Sequence, residues 1–269
     1  MVYRLDNFQE TNINPITHEV WDDSWIVFIL NNEPYRMVVG SVNGCTYTLK
    51  VSKNYRHWQM ALGDFLSYNN SINKNVILAV SEQDYLEAVK SYEGHTYNDK
   101  YLREYEEPIL IHSTTDDNYH CILEDGCLKS WNQLHVNNIL DAEEPIGKLL
   151  GDPIELRDFI LFGSGTTGEI VVNSKQLQRI EMNDSCEYKT GARLYFDIKK
   201  LAEDGLIIRD GSEIKVKDIL PLNPYLIWAA TWDSIGLKSN ISSPKVFAMS
   251  ADKYFQEHIV STYVFEKFY

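Results

Sequence analysis

The sequence has no apolar run approaching the roughly 18–20 residues that a membrane-spanning helix needs, so no membrane span is expected. Its first residues, Met1-Val2-Tyr3-Arg4-Leu5-Asp6-Asn7-Phe8, lack the apolar core of a signal peptide, and a cytoplasmic location is the expectation. The four cysteines, Cys45, Cys121, Cys127 and Cys186, show no CxxC spacing, which argues against a zinc knuckle and a disulfide framework. The seven histidines form neither an HExxH nor an HxH pair, so no protein-held metal is expected. Basic residues are also scarce, 25 Lys and Arg against 39 Asp and Glu, a formal net charge of −14. Such a chain cannot capture nucleic acid over a broad surface, although a local basic groove remains open to it. There is no internal repeat and no low-complexity segment.

What is present is ordinary globular composition, 44% hydrophobic and 24% charged over 269 residues, enough for one large domain or two small ones. Trp25–Leu30, the turn formers Asn31-Asn32-Glu33-Pro34, and Tyr35–Gly40 predict a hairpin. Asn43-Gly44 followed by Cys45–Val51 extends it to a three-stranded meander. Ser52 to Tyr68 carries Trp58, Leu62, Phe65 and Leu66 at helical spacing, then an asparagine-rich loop leads to a strand at Val76–Val80. Ser81-Glu82-Gln83-Asp84 starts a helix running to about Tyr92. The polar, tyrosine-rich stretch 93–107 marks a boundary between an N-terminal α+β part, 1–105, and a second part, 106–269.

In the second part a strand at Ile109–Ile111 precedes a polar loop and a short helix around Tyr119–Glu124 that ends at Gly126. Ser130 to Arg157 reads as irregular. Strands are predicted at Phe159–Phe162, Glu169–Val172, Arg193–Asp197, Leu206–Ile208 and Glu213–Val216, with a helix over Ile198–Asp204 closed by Gly205 and a last strand in 259–269. The class is α+β, with antiparallel strands and few long helices. Trp25, Trp58 and Trp228 fall in apolar runs and belong in the core, whereas Trp131 and Trp232 could pack or stack on a base.

Two constellations carry chemistry. A histidine ending a strand, as in Ile111-His112-Ser113-Thr114, can hydrogen-bond a ribose hydroxyl while the neighbouring backbone meets an amide. Two carboxylates stand at predicted strand starts, Glu169 and Glu213. Strand-His-Ser-Thr followed by Ile122-Leu123-Glu124-Asp125-Gly126-Cys127-Leu128 resembles the opening of the ADP-ribosyltransferase superfamily, in particular bacterial RNA 2′-phosphotransferases and DarT-type toxins. The pattern of 192–218 is similar to the C-terminal half of those phosphotransferases, so the resemblance covers about 110–228.

The resemblance implies a transferase-like mixed β-sheet fold in the second part. It implies cleavage of the nicotinamide glycosidic bond of NAD, bound as substrate, and transfer of ADP-ribose to a nucleic-acid or protein acceptor, in a toxin or defence setting. His112 would then hold the adenosine-side ribose, with Ser113 and Thr114 at the nicotinamide and Asn118 beside them. Glu213 would grip the nicotinamide ribose, Tyr195 or Phe159 would stack on the nicotinamide, and Arg209 would pair with phosphate. Chain order favours Glu213 over Glu169 as the catalytic carboxylate, and Glu266 is a third candidate. An oxocarbenium-like centre gains most from a nearby preorganised carboxylate.

The phosphotransferases carry an Arg-His pair in an N-terminal winged-helix domain. Here Arg56-His57 precedes Trp58 on a core helix and reads as structural. Gly163-Ser164-Gly165-Thr166-Thr167-Gly168 matches GxGxxG, but between two predicted strands with no helix after it, so it reads as a loop able to cover the site beside Glu169. The alternatives are an RNA 2′-phosphotransferase and a non-catalytic interaction protein on a degenerate transferase fold.

Overall fold

The computed structural model describes residues 1–42, 46–136, 154–188, 191–237 and 243–260. It is an α+β structure. Its first half holds β1 (Val2–Arg4), β2 (Trp25–Asn31), β3 (Met37–Val42), β4 (Thr46–Ser52), α1 (Trp58–Ser71), β5 (Asn75–Ala79) and α2 (Glu82–Ser91). The strands form one sheet in the order β1-β5-β2-β4-β3. The expected meander is corrected here: β4 lies between β2 and β3, parallel to β2 and antiparallel to β3, so β2 and β3 do not form a hairpin.

The reason is visible in β2. Trp25, Ile26, Val27 and Phe28 are all buried, and a strand apolar on both faces needs cover on both. Ile26 and Phe28 pack with Leu49, Leu78 and the Trp58, Leu62 and Phe65 side of α1. Trp25 and Val27 face the other way, onto Trp21, Val42 and Ile77, with Leu5, Phe8 and Ile16 of the N-terminal segment over them. Each such large apolar side chain contributes roughly 1.5–3 kcal/mol relative to exposure. The helix begins at Trp58 rather than Ser52, because Ser52 completes β4.

The second half holds β6 (Ile109–Thr114), α3 (Asp116–Asp125), β7 (Cys127–Lys129), α4 (Trp131–Val136), a 3₁₀ turn (Ile154–Asp158), β8 (Phe159–Ile160), α5 (Thr167–Leu177), β9 (Ala192–Asp197), α6 (Ile198–Glu203), β10 (Ile207–Arg209), β11 (Ile214–Lys217), β12 (Ile219–Pro221), β13 (Leu226–Ala230), α7 (Pro244–Tyr254) and a π-helical turn (Phe255–Ile259). Three small antiparallel sheets result: β13-β9-β6, β10-β11-β8 and β12-β7. α3 is capped by Thr115 and stops at left-handed Gly126, and α6 is capped by Asp197 and followed by Gly205 at φ +71°.

The strand predicted at Glu169–Val172 is a second correction. Those residues lie in α5, and a helix does follow the glycine loop. The β-branched run Ile170-Val171-Val172 has strand propensity, but Glu169, Val172 and Asn173 are buried together at helical spacing, and tertiary burial decides. The loop is still no dinucleotide turn, since β8 before it pairs antiparallel with β11 instead of joining a parallel sheet. Within the stretch read as irregular stand α4 and the 3₁₀ turn. Of the predicted last strand, Ile259 belongs to the π-helical turn, and 261–269 with Glu266 lie outside the described residues.

The stretch 93–107 is tied to both halves. Arg103, with a side chain only 2% exposed, donates to Asp64 of α1 at 2.7 and 2.9 Å and to Asp99 at 3.0 and 3.1 Å. Arg209 of β10 donates to Glu106 at 2.5 and 2.7 Å. Buried charge survives only when paired, so these residues form a seam and not an exposed linker.

Candidate functional site

A cleft of about 790 Å³ opens along this seam, within the range of ligand sites. Its floor is the start of β6, Ile109 to Ile111. One side is the glycine loop from Gly163 to Thr167. Glu213 stands on the turn before β11, and Asp252 and Gln256 reach in from α7 and the turn after it. The glycine loop is held by an antiparallel bridge, the Gly163 N–H donating to the Ile111 carbonyl at 2.8 Å.

Glu213 is positioned by a tight turn. Asp210 Oδ1 accepts from the Ser212 N–H at 3.1 Å, the Ser212 hydroxyl at 2.7 Å and the Glu213 N–H at 3.5 Å. Gly211 has φ +91°, and a Cβ there would collide with the Ala61 carbonyl of α1, so only glycine lets the turn lie against the helix. Behind it Asp210 is ion-paired with buried Lys215 and accepts from the Tyr47 hydroxyl at 3.3 Å. Burial opposes the Asp210 charge, yet Lys215 and the turn's donors bring its pKa below the usual value. The Tyr47 phenol is pushed well up by burial and by Asp210.

Glu169, the rival carboxylate, is fully buried. Its two oxygens accept from Arg193 Nη1 at 2.9 and 2.8 Å, and Ser113 Oγ donates to Oε1 at 2.6 Å. The other edge of Arg193 binds Asp252, Nε to Oδ1 and Nη2 to Oδ2, both at 3.0 Å. Tyr195 donates its hydroxyl to Asp252 Oδ1 at 2.8 Å and stacks on Phe255 with centroids 4.3 Å apart. Burial disfavours the Arg193 charge, but Glu169, Tyr195 and Asp252 together raise its pKa above normal. Burial, ahead of every neighbour, raises that of Tyr195. One arginine thus joins a sealed carboxylate to one that reaches the cleft.

The remaining predicted residues divide. Glu213, Tyr195 and Arg209 line the cleft, whereas Glu169, His112, Ser113, Thr114 and Asn118 do not. Arg209, read from sequence as a phosphate partner, is 2% exposed and committed to Glu106 and to the carbonyls of Asp99 and Tyr101. Burial lowers the pKa of His112, and because the Leu161 carbonyl can only accept, Nδ1 donates to it at 3.0 Å. Thr114 is buried, and the Asn118 N–H donates to the capping hydroxyl of Thr115 at 3.3 Å. Phe159, the other stacking candidate, is buried with Lys215 Nζ over its ring at 4.4 Å.

Asp252, Arg193 and the wall residues Arg36, Tyr55 and Tyr105 were missed by the sequence reading, and His57, read there as a structural residue of a core helix, instead precedes α1 and lines the cleft. A signal existed for Arg193, a charge inside the apolar run Ala192-Arg193-Leu194-Tyr195-Phe196, which asks for a buried partner. Among the described residues no group of three or more His, Cys, Asp or Glu could hold a metal ion, and no helix is long and apolar enough to cross a membrane. No protein-family model matches this chain, and neither a curated protein nor a solved structure matches it.

Proposed function

We propose that this chain is an NAD-dependent ADP-ribosyltransferase whose reaction centre is the cleft, with Glu213 as its carboxylate. The carrying observation is the contrast between two glutamates: Glu213 stands on the cleft wall, while Glu169 is sealed by Arg193 and Ser113. In this reading the bond between nicotinamide and C1′ breaks, and nicotinamide leaves with the electron pair. The positive charge that develops on the ribose is stabilised by Glu213, and an acceptor nucleophile takes the sugar and gives up its proton. The apolar floor at Ile109 and Ile111 suits a displaced planar amide, and the backbone of the glycine loop can approach phosphate closely at Gly165, where the space of a side chain is open.

A second reading has its own support. Two residues that carry the sequence resemblance are occupied within the fold, Ser113 by Glu169 and His112 by the Leu161 carbonyl. That favours an interaction protein that keeps the framework without the chemistry. Incubation with NAD labelled on the adenylate, followed by chromatography, separates the two. Nicotinamide release or a labelled adduct is expected, and its absence at millimolar NAD with folded protein leaves the second reading.

A further inference from the structure

Four of the side chains that line the cleft form one cluster. Arg36 precedes β3, Tyr55 and His57 precede α1, and Tyr105 comes from the seam. The Arg36 guanidinium lies 4.3 Å over the Tyr55 ring and donates to its hydroxyl at 2.9 Å. The His57 and Tyr105 rings stack with centroids 4.2 Å apart at 14°, and Tyr55 meets His57 edge-on at 5.8 Å. Tyr105 is anchored from behind, since its hydroxyl accepts from Arg103 Nη1 at 3.1 Å and Arg103 is locked on Asp64 and Asp99.

This is an aromatic shelf with a cation at its edge, in a chain whose net charge is −14. Among the described residues the Arg36 guanidinium is held by a ring and a phenol and not by a carboxylate. Burial, then Arg56 and Arg36, lower the pKa of His57, and its ring lies face to face with Tyr105. Flat π faces accept flat rings, and a guanidinium fork matches phosphate.

We propose that this wall is a nucleotide subsite, in which a base stacks on the outer face of the paired His57 and Tyr105 rings with Tyr55 at its edge, while Arg36, seated on Tyr55, binds its phosphate. The subsite stands on the wall's own geometry and holds whether or not nicotinamide is released. The nucleotide is either free or part of a single strand.

Calorimetric titration of the whole chain with AMP, adenosine and ribose 5-phosphate tests it. AMP is expected to bind more tightly than either fragment. Arg36→Gln should weaken AMP about tenfold and leave adenosine unchanged, because a charge-assisted contact to phosphate is lost. His57→Ala should weaken both AMP and adenosine. Arg36 is exposed, so its variant should fold as the wild type does, and circular dichroism verifies this. A single-stranded tetranucleotide that displaces AMP and shows the same Arg36 dependence points to a strand, whereas AMP binding without tetranucleotide binding points to a free nucleotide; either supports the subsite. No AMP binding at millimolar concentration, or AMP affinity unchanged in both variants, overturns it. Nicotinamide release without AMP binding would remove the subsite and keep the transferase, and AMP binding without release would do the reverse.

Discussion

Replacing Arg193 by methionine should be among the most damaging single changes in the chain. Its side chain is 1% exposed and lies between Glu169 at 0% and Asp252 at 42%. Methionine fills similar volume but leaves Glu169 charged, sealed from water and held only by the Ser113 hydroxyl at 2.6 Å. Breaking a buried ion pair from one side costs about 3–5 kcal/mol, because the remaining charge keeps its desolvation penalty and loses its partner. At roughly 2–4 °C per kcal/mol for a chain of this size, the melting temperature should fall by on the order of 10 °C. The reverse change, Asp252→Asn, should cost only about 1 kcal/mol, since that carboxylate is partly solvated and screened. The double variant Glu169→Gln with Arg193→Met removes both charges and should recover much of the loss. Urea unfolding followed by circular dichroism measures all four proteins. Arg193→Met within about 1 kcal/mol of wild type, or a double variant no more stable than the single, would refute the view that a sealed charge pair holds α5 to β9.

Glu213→Gln should spare NAD binding and lower nicotinamide release by about 10²–10³, while Glu169→Gln should show its main effect in thermal stability; the opposite pattern would move the reaction centre to the glycine-loop side. Burial opposes the Asp99 charge, but His95, the Thr96 N–H and Arg103 together hold its pKa at about 2. A depressed carboxylate stabilises the fold above its unfolded pKa and loses that contribution as pH falls through the folded value, so Asp99→Asn should flatten the stability decline between about pH 4 and 2. Gly211→Ala should destabilise measurably in a thermal melt, since a Cβ would meet the Ala61 carbonyl at a left-handed φ. Under limited proteolysis the seam 93–107 should resist cleavage, because Arg103 and Arg209 pin it, and an early cut there would show that those ion pairs open readily.

Local signals fixed much of the element list. Short apolar runs marked β2, β6 and β9, alternation and β-branching marked β4, and Gly126 and Gly205 marked the ends of α3 and α6, because glycines that end helices act over a few residues; the caps at Thr115 and Asp197 that begin those helices emerge only in the structure. The α+β class and the placing of Glu213 at the mouth of a strand were legible in the same way. Strand order was not: whether β4 slots between β2 and β3 depends on which faces find cover, and that cover comes from α1 and from residues near the N-terminus. The helix at Thr167–Leu177 overrode its own β-branched run because Glu169 had to meet Arg193, which follows 24 residues later. The cleft itself was invisible, since Arg36, His57, Tyr105, Glu213 and Asp252 come from five separate stretches. Sequence sets which residues can bear charge, stack or turn the chain, all short-range properties. Which charges are sealed in pairs and which face a cleft is set by long-range packing, where desolvation makes a buried charge find a partner.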